Sequence, residues 1–183
     1  VAITLRTLQE HKAAGQKFSM LTAYDATFAR LASTAGIPTL LVGDSLGNVV
    51  QGQASTVPVR LQHMVYHTEC VARGNQGSLL VADVPFMAAA TLERTLNAAT
   101  ALMQAGANVV KLEGGAWLAD AVATLQRNGI PCCVHLGLTP QSVTALGGYR
   151  VQGRDEAGAE QLLQAARTLD AAGAALMVLE CVP

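Results

Sequence analysis

Four carboxylates occupy one kind of place in this sequence. Asp44 follows Thr39, Leu40, Leu41, Val42 and Gly43, and Asp83 follows Leu79, Leu80, Val81 and Ala82. Glu113 closes Val109, Val110, Lys111 and Leu112, and Glu180 closes Leu176, Met177, Val178 and Leu179. Short apolar runs of this kind read as strands buried on both faces, so each acid stands at a strand end. In a parallel α/β barrel all the C-terminal strand ends open onto one face, where active sites are built. The four acids are therefore expected to meet in space.

Asp44, Asp83 and Glu113 offer only oxygen, the hard donor that suits Mg²⁺, and three clustered acids repel one another unless a cation lies between them. Magnesium keeps coordination positions for substrate oxygens, so the carboxylate and ketone of a 2-oxo acid could chelate it, and the ion would polarise the carbonyl toward an enolate. Lys111 precedes Glu113 by two residues and projects to the same strand face, where it can hold a substrate carboxylate, steady oxyanion charge, or pair with a neighbouring acid. Ser45, beside Asp44, can donate a hydrogen bond to the same ligand. Glu180, between Leu179 and Cys181, reads as a general base in an apolar setting, with His135 as the competing base or a donor that orients the substrate. No Ser/His/Asp arrangement for covalent serine chemistry is legible.

The elements that must carry these residues follow in order. The segment from Thr4 to Ala14 predicts an amphipathic helix covering the N-terminal end of the sheet, and Phe18 to Thr22 a first strand. Asp25 reads as an N-cap for the following helix rather than a catalytic acid. After the Asp44 strand, Asn48 to Pro58 predicts a long loop, a candidate for closing over a ligand. Arg60 to Arg73 is then a helix with His63 and His67 four apart; that spacing can bind a metal, but without the Glu of a H-E-x-x-H motif the pair reads as helix surface or subunit contact. Strands Ser78–Asp83, Val109–Glu113, Pro131–Leu136 and Ala174–Glu180 alternate with helices from Thr91 to Ala105, Trp117 to Arg127 and Asp155 to Ala172. Gly114 and Gly115 read as a tight turn, with anion binding by their amides as the alternative. The alternation predicts a parallel sheet with right-handed crossovers: an N-terminal helix and about six βα units of an eight-unit barrel that typically needs about 250 residues, in one domain over 1–183. The chain so reads as part of a longer protein.

Composition narrows the function classes. Twelve Lys and Arg against thirteen Asp and Glu give a net charge of −1, with no basic field to hold nucleic acid or an anionic membrane, so the partners expected are small molecules. No apolar run approaches a membrane span of about 20 residues, and a cytoplasmic setting is expected. The four cysteines, Cys70, Cys132, Cys133 and Cys181, contain no C-x-x-C pair and read as reduced thiols, with Cys132 and Cys133 pointing to opposite faces of one strand.

Nine stretches taken together resemble one family: Thr22–Asp25, Leu41–Gly47, Val50–Gly52, Ala82–Met87, Val110–Gly115, His135–Ser142, Gly147–Tyr149, Val151–Arg154 and Leu179–Pro183. They are similar, in the same order and nearly end to end, to the ketopantoate (3-methyl-2-oxobutanoate) hydroxymethyltransferase family. The resemblance implies a (βα)₈ TIM barrel like those of the phosphoenolpyruvate mutase and isocitrate lyase superfamily. It implies transfer of a one-carbon unit from the co-substrate 5,10-methylenetetrahydrofolate to 3-methyl-2-oxobutanoate, giving 2-dehydropantoate on the route to pantothenate and coenzyme A. It also implies Mg²⁺ on Asp44, Asp83 and Glu113, oxo acid contacts from Asp44, Ser45, Asp83 and Lys111, Glu180 as general base, a homo-oligomer, decameric in this family, and two βα units beyond the Glu-Cys-Val-Pro motif. Two other readings stay open: a related Mg²⁺-dependent lyase or mutase of another 2-oxo acid, and a silent barrel fragment serving as scaffold.

Overall fold

The computed structural model describes residues 2–183. A first helix, α1 (Leu5–Ala13), starts at Thr4, whose side chain accepts from the Thr7 amide. Strands β1 (Met20–Thr22), β2 (Thr39–Val42), β3 (Leu79–Asp83), β4 (Val109–Glu113), β5 (Cys132–Gly137) and β6 (Leu176–Glu180) then form one parallel sheet in sequence order. Between them run α2 (Ala26–Thr34), α3 (Leu46–Val49), α4 (Leu61–Gly74), α5 (Leu92–Gln104), α6 (Ala119–Arg127) and α7 (Glu156–Ala171). The unit is thus six strands with five crossovers, and β6 has no helix after it among the described residues.

The pleat divides the side chains into two layers. Leu40, Leu80, Val110, Leu112, Val134 and their neighbours face the helices, where Ala29, Met64, Leu102 and Leu125 cover them. On the other face Leu79, Val81, Val109 and Cys133 pack with Met20, Leu41, Leu176 and Val178 in one cluster, into which Leu8 of α1 inserts. Six strands laid flat would separate β1 from β6 by about 24 Å at the usual strand spacing. Their side chains share a cluster, so the sheet curls into part of a barrel, and α1 plugs its N-terminal end as expected. Cys132 lies in the helix-facing layer and Cys133 in the inner one. Burial pushes both thiols up to about 12, which leaves them as neutral packing groups.

Several boundaries move. The first strand starts at Met20, not Phe18, because pairing with β2 starts at Met20 opposite Thr39. The long loop after β2 is shorter than expected, since Leu46–Val49 coils into α3. The helix expected at Trp117 starts as a 3-10 turn over Ala116–Leu118. The Gly114 amide donates to the His135 carbonyl oxygen, and the Trp117 ring fills the space a Cβ at Gly114 would need, which supports the tight-turn reading. Asp25 is the N-cap, accepting from the amides of Thr27 and Phe28 at 2.8 and 2.9 Å. His63 accepts from the Arg60 amide and His67 bonds the Tyr24 carbonyl oxygen, so each ring serves local structure.

Helices α2 and α4 approach most closely at Gly74, where a Cβ would collide with the backbone of Ala26, its carbonyl oxygen included. Gly74→Ala is expected to cost about 1–3 kcal/mol by overpacking, read as a lower midpoint in urea denaturation with an unchanged slope.

Candidate active site

The inner face changes character along the strands. Its lower layers are apolar, whereas the next residues inward, two steps along each strand, are Asp83, Lys111 and Glu113, His135 and Glu180. The period of two that aligns Val81 with Asp83, and Val109 with Lys111 and Glu113, dictates this placement. Asp44 and Ser45 enter from the turn after β2. At Gly43 a Cβ would stand 2.9 Å from Ser45 Oγ and 3.6 Å from Asp83 Oδ2, so the absence of a side chain there keeps this approach open. All these residues line one cavity of about 470 Å³, within the range of small-molecule sites.

Asp44, Asp83 and Glu113 each bring a carboxylate oxygen into a group spanning no more than 4.8 Å, and all three side chains are buried. Lys111 Nζ sits 2.7 Å from Asp83 Oδ1 and 3.5 Å from Glu113 Oε1. The ion pair that was one reading of Lys111 therefore exists, on the wall of the cavity where a ligand would bind. The Asp44 amide donates to Asp83 Oδ2 at 3.1 Å. The Ser45 hydroxyl is tied to Tyr24 Oη at 2.8 Å.

Electrostatics follow from three acids and one ammonium in a dry space. Burial, with the neighbouring charges of Asp83 and Glu113, pushes the Asp44 carboxyl up to about 8. Burial also raises Asp83, against the pull of Lys111. Burial disfavours the charged form of Lys111, but the charges of Asp83 and Glu113 outweigh it and hold the ammonium well above its usual range. At Glu113 burial pushes upward and is overcome by His135 and Lys111, so this carboxyl stays below its ordinary value. A set of three oxygen donors that cannot all ionise together unaided fits a hard divalent cation.

Three of the four strand-end acids meet; the fourth joins them through a histidine. His135 Nδ1 lies 3.4 Å from Glu113 Oε1, and its Nε2 lies 3.2 Å from Glu180 Oε2. Neither contact is aligned as a hydrogen bond, so the imidazole is buried with both nitrogens unpartnered in that sense. Glu180 closes β6, and among the described residues its side chain is 40% exposed. Cys181 turns the chain with a left-handed backbone (φ 46) immediately after it.

Sequence reasoning gave no role to Gln141. Its side-chain amide donates to Asp44 Oδ2 at 2.8 Å and to the Val84 carbonyl oxygen at 3.0 Å, and its backbone amide donates to Glu113 Oε2 at 3.1 Å. It stands 97 positions from Asp44 in a loop without periodicity. Its place within the His135–Ser142 stretch was the one available signal. Asn48, in α3, and Thr56 also line the cavity, both within the Asn48–Pro58 segment expected to close over a ligand, and Tyr149 joins them from the loop after β5.

Comparison with known proteins agrees with this geometry. A family model described as ketopantoate hydroxymethyltransferase matches residues 2–183. The 3-methyl-2-oxobutanoate hydroxymethyltransferase of Alcanivorax borkumensis is 72% identical over 183 residues, covering all of this chain and 70% of that protein. That of Stutzerimonas stutzeri is 59% identical over 181 residues, covering 99% of this chain and 68% of the relative. Among solved structures, phosphonopyruvate hydrolase superposes with a TM-score of 0.73 at 12% identity, over 97% of this chain and 63% of that one. A 2,3-dimethylmalate lyase of the PEP mutase/isocitrate lyase superfamily gives 0.68 at 19% identity, over 98% of this chain and 64% of its own. These two likenesses carry the fold, a TIM barrel of which this chain supplies part.

The raised Asp44 carboxyl has a consequence for stability. The folded protein holds this proton up to about pH 8, whereas the unfolded chain releases it near its ordinary value of 3.8, so the folded state binds the extra proton between them. Stability without divalent ions should fall as pH rises through that window. Mg²⁺ should raise the melting temperature more at about pH 8 than at about pH 5, where it must displace the proton. Thermal scans with and without Mg²⁺ check this, and an equal Mg²⁺ effect at both pH values would count against these acids as its ligands.

Proposed function

Because this chain belongs to the ketopantoate hydroxymethyltransferase family, we propose that it joins the one-carbon unit of 5,10-methylenetetrahydrofolate to C3 of 3-methyl-2-oxobutanoate, giving 2-dehydropantoate for pantothenate and coenzyme A synthesis. The observation that carries this reading is the buried group of Asp44, Asp83 and Glu113 with Lys111 against it, in one cavity with Ser45, His135 and Glu180. Asp44, Asp83 and Glu113 would hold Mg²⁺. Once bound, the ion supplies Lewis acidity toward the carboxylate and ketone oxygens of a 2-oxo acid.

The remaining roles belong to the protein's own groups. The Ser45 hydroxyl, held by Tyr24, donates to the oxo acid. Lys111 keeps a permanent positive charge where negative charge develops on the substrate oxygens. Glu180 accepts the proton from C3, and the electron pair left on C3 forms the bond to the one-carbon unit as one of that unit's two C–N bonds to the folate opens, its electron pair going to nitrogen. His135 stands between Glu113 and Glu180 and places an imidazole beside that base. Water then supplies the hydroxyl as the remaining C–N bond breaks, which frees the hydroxymethyl product and tetrahydrofolate.

Deuterium exchange at C3 of 3-methyl-2-oxobutanoate, followed by NMR in heavy water with Mg²⁺, tests the proton-transfer half without the folate. Glu180→Gln is expected to slow exchange by about 10²- to 10⁴-fold while oxo acid binding persists; unchanged exchange would remove Glu180 as the base and bring His135 forward. Asp83→Asn should weaken Mg²⁺-dependent binding of the oxo acid, and an unaltered Mg²⁺ requirement would argue against its role as ligand.

A further inference from the structure

The three acids of the site come from three different strand ends, and the sheet register that brings their Cα atoms together does not fix where their carboxylates point. Asp83 is fixed twice, by Lys111 Nζ and by the Asp44 amide. Glu113 has Lys111 and His135 near one oxygen. For the side chain of Asp44 the situation differs: among the described residues its single hydrogen-bond donor is Gln141.

We infer that Gln141 is a positioning residue of this site, which holds the carboxylates of Asp44 and Glu113 at the spacing a divalent cation requires. Its side-chain amide has two protons, and both are used. One goes to Asp44 Oδ2 and the other to the carbonyl oxygen of Val84, the residue after Asp83. Its backbone N–H engages Glu113 Oε2. One residue therefore ties the ends of β2, β3 and β4 together, and it leaves Asp44 Oδ1 without a protein donor and available to an ion.

The placement of Gln141 is itself supported. It lies in the 3-10 turn Pro140–Ser142, where the ring of Pro140 fixes the first position and the Ser142 amide bonds the Thr139 carbonyl oxygen. Alanine at this position has no amide to span the gap to Asp44. Partners that orient metal ligands in this way typically control metal affinity by about 10- to 100-fold.

This inference rests on the proposed metal reading of the site, and the experiment separates the two. Mn²⁺ binding to the purified protein is measured by EPR titration for the unaltered chain, Gln141→Ala and Asp83→Asn, with the melting temperature of each taken in the absence of metal. The expected result is a Mn²⁺ Kd raised about 10- to 100-fold in Gln141→Ala, with its metal-free melting temperature close to that of the unaltered chain. The apparent KM for Mg²⁺ in the C3 exchange assay should rise in parallel, with the exchange rate recovering at saturating Mg²⁺. A Kd within twofold of the unaltered protein in Gln141→Ala, while Asp83→Asn abolishes binding, would overturn the inference and leave the metal reading intact. No Mn²⁺ binding by the unaltered chain would overturn both.

Discussion

The buried charge imbalance at the strand ends governs the rest of this structure. Asp44, Asp83 and Glu113 bring three potential negative charges into a cavity where Lys111 is the one ammonium in direct contact. Removing a carboxylate from water is expensive, and like charges a few ångströms apart in low dielectric repel strongly. The protein answers in several ways at once: Asp44 takes up a proton, Lys111 is locked in its charged form, and amides of Asp44 and Gln141 are turned onto the acids. Such an arrangement is poorly suited to stability and well suited to receiving a cation.

Holding this cluster requires a rigid frame beneath it. The lower inner layers, from Leu79 and Val109 up to Val81 and Cys133, are apolar and closed from below by Leu8. The outer face of the same strands is sealed by small and branched residues on the helices, Ala29 among them, and α4 meets α2 closely at Gly74. With both faces packed, a strand cannot slip by one residue without exchanging Asp83 or Glu113 for an apolar neighbour. The apolar packing therefore sets which side chains face the cavity.

Precision comes from the loops. Tyr24, in the turn after β1, holds Ser45; Gln141, in the turn after β5, holds Asp44 and Glu113. Each strand end is tied to a turn that does not follow it directly, so the site is cross-braced across the mouth of the barrel. Glu180 is linked to this network through His135.

The sequence by itself determined the parallel α/β architecture, the strand cores, the cap at Asp25, the division of Cys132 from Cys133 and the family resemblance, because each depends on local periodicity, local hydrogen bonding or residue order. Pleat parity also placed Lys111 and Glu113 on one face. Tertiary structure alone decided that Glu180 reaches the other three acids through His135, that Lys111 pairs most closely with Asp83, and that Gln141 belongs to the site. Those outcomes depend on the stagger between neighbouring strands and on the path of irregular loops. Both are set by packing among residues far apart in the chain, and no periodic signal encodes them.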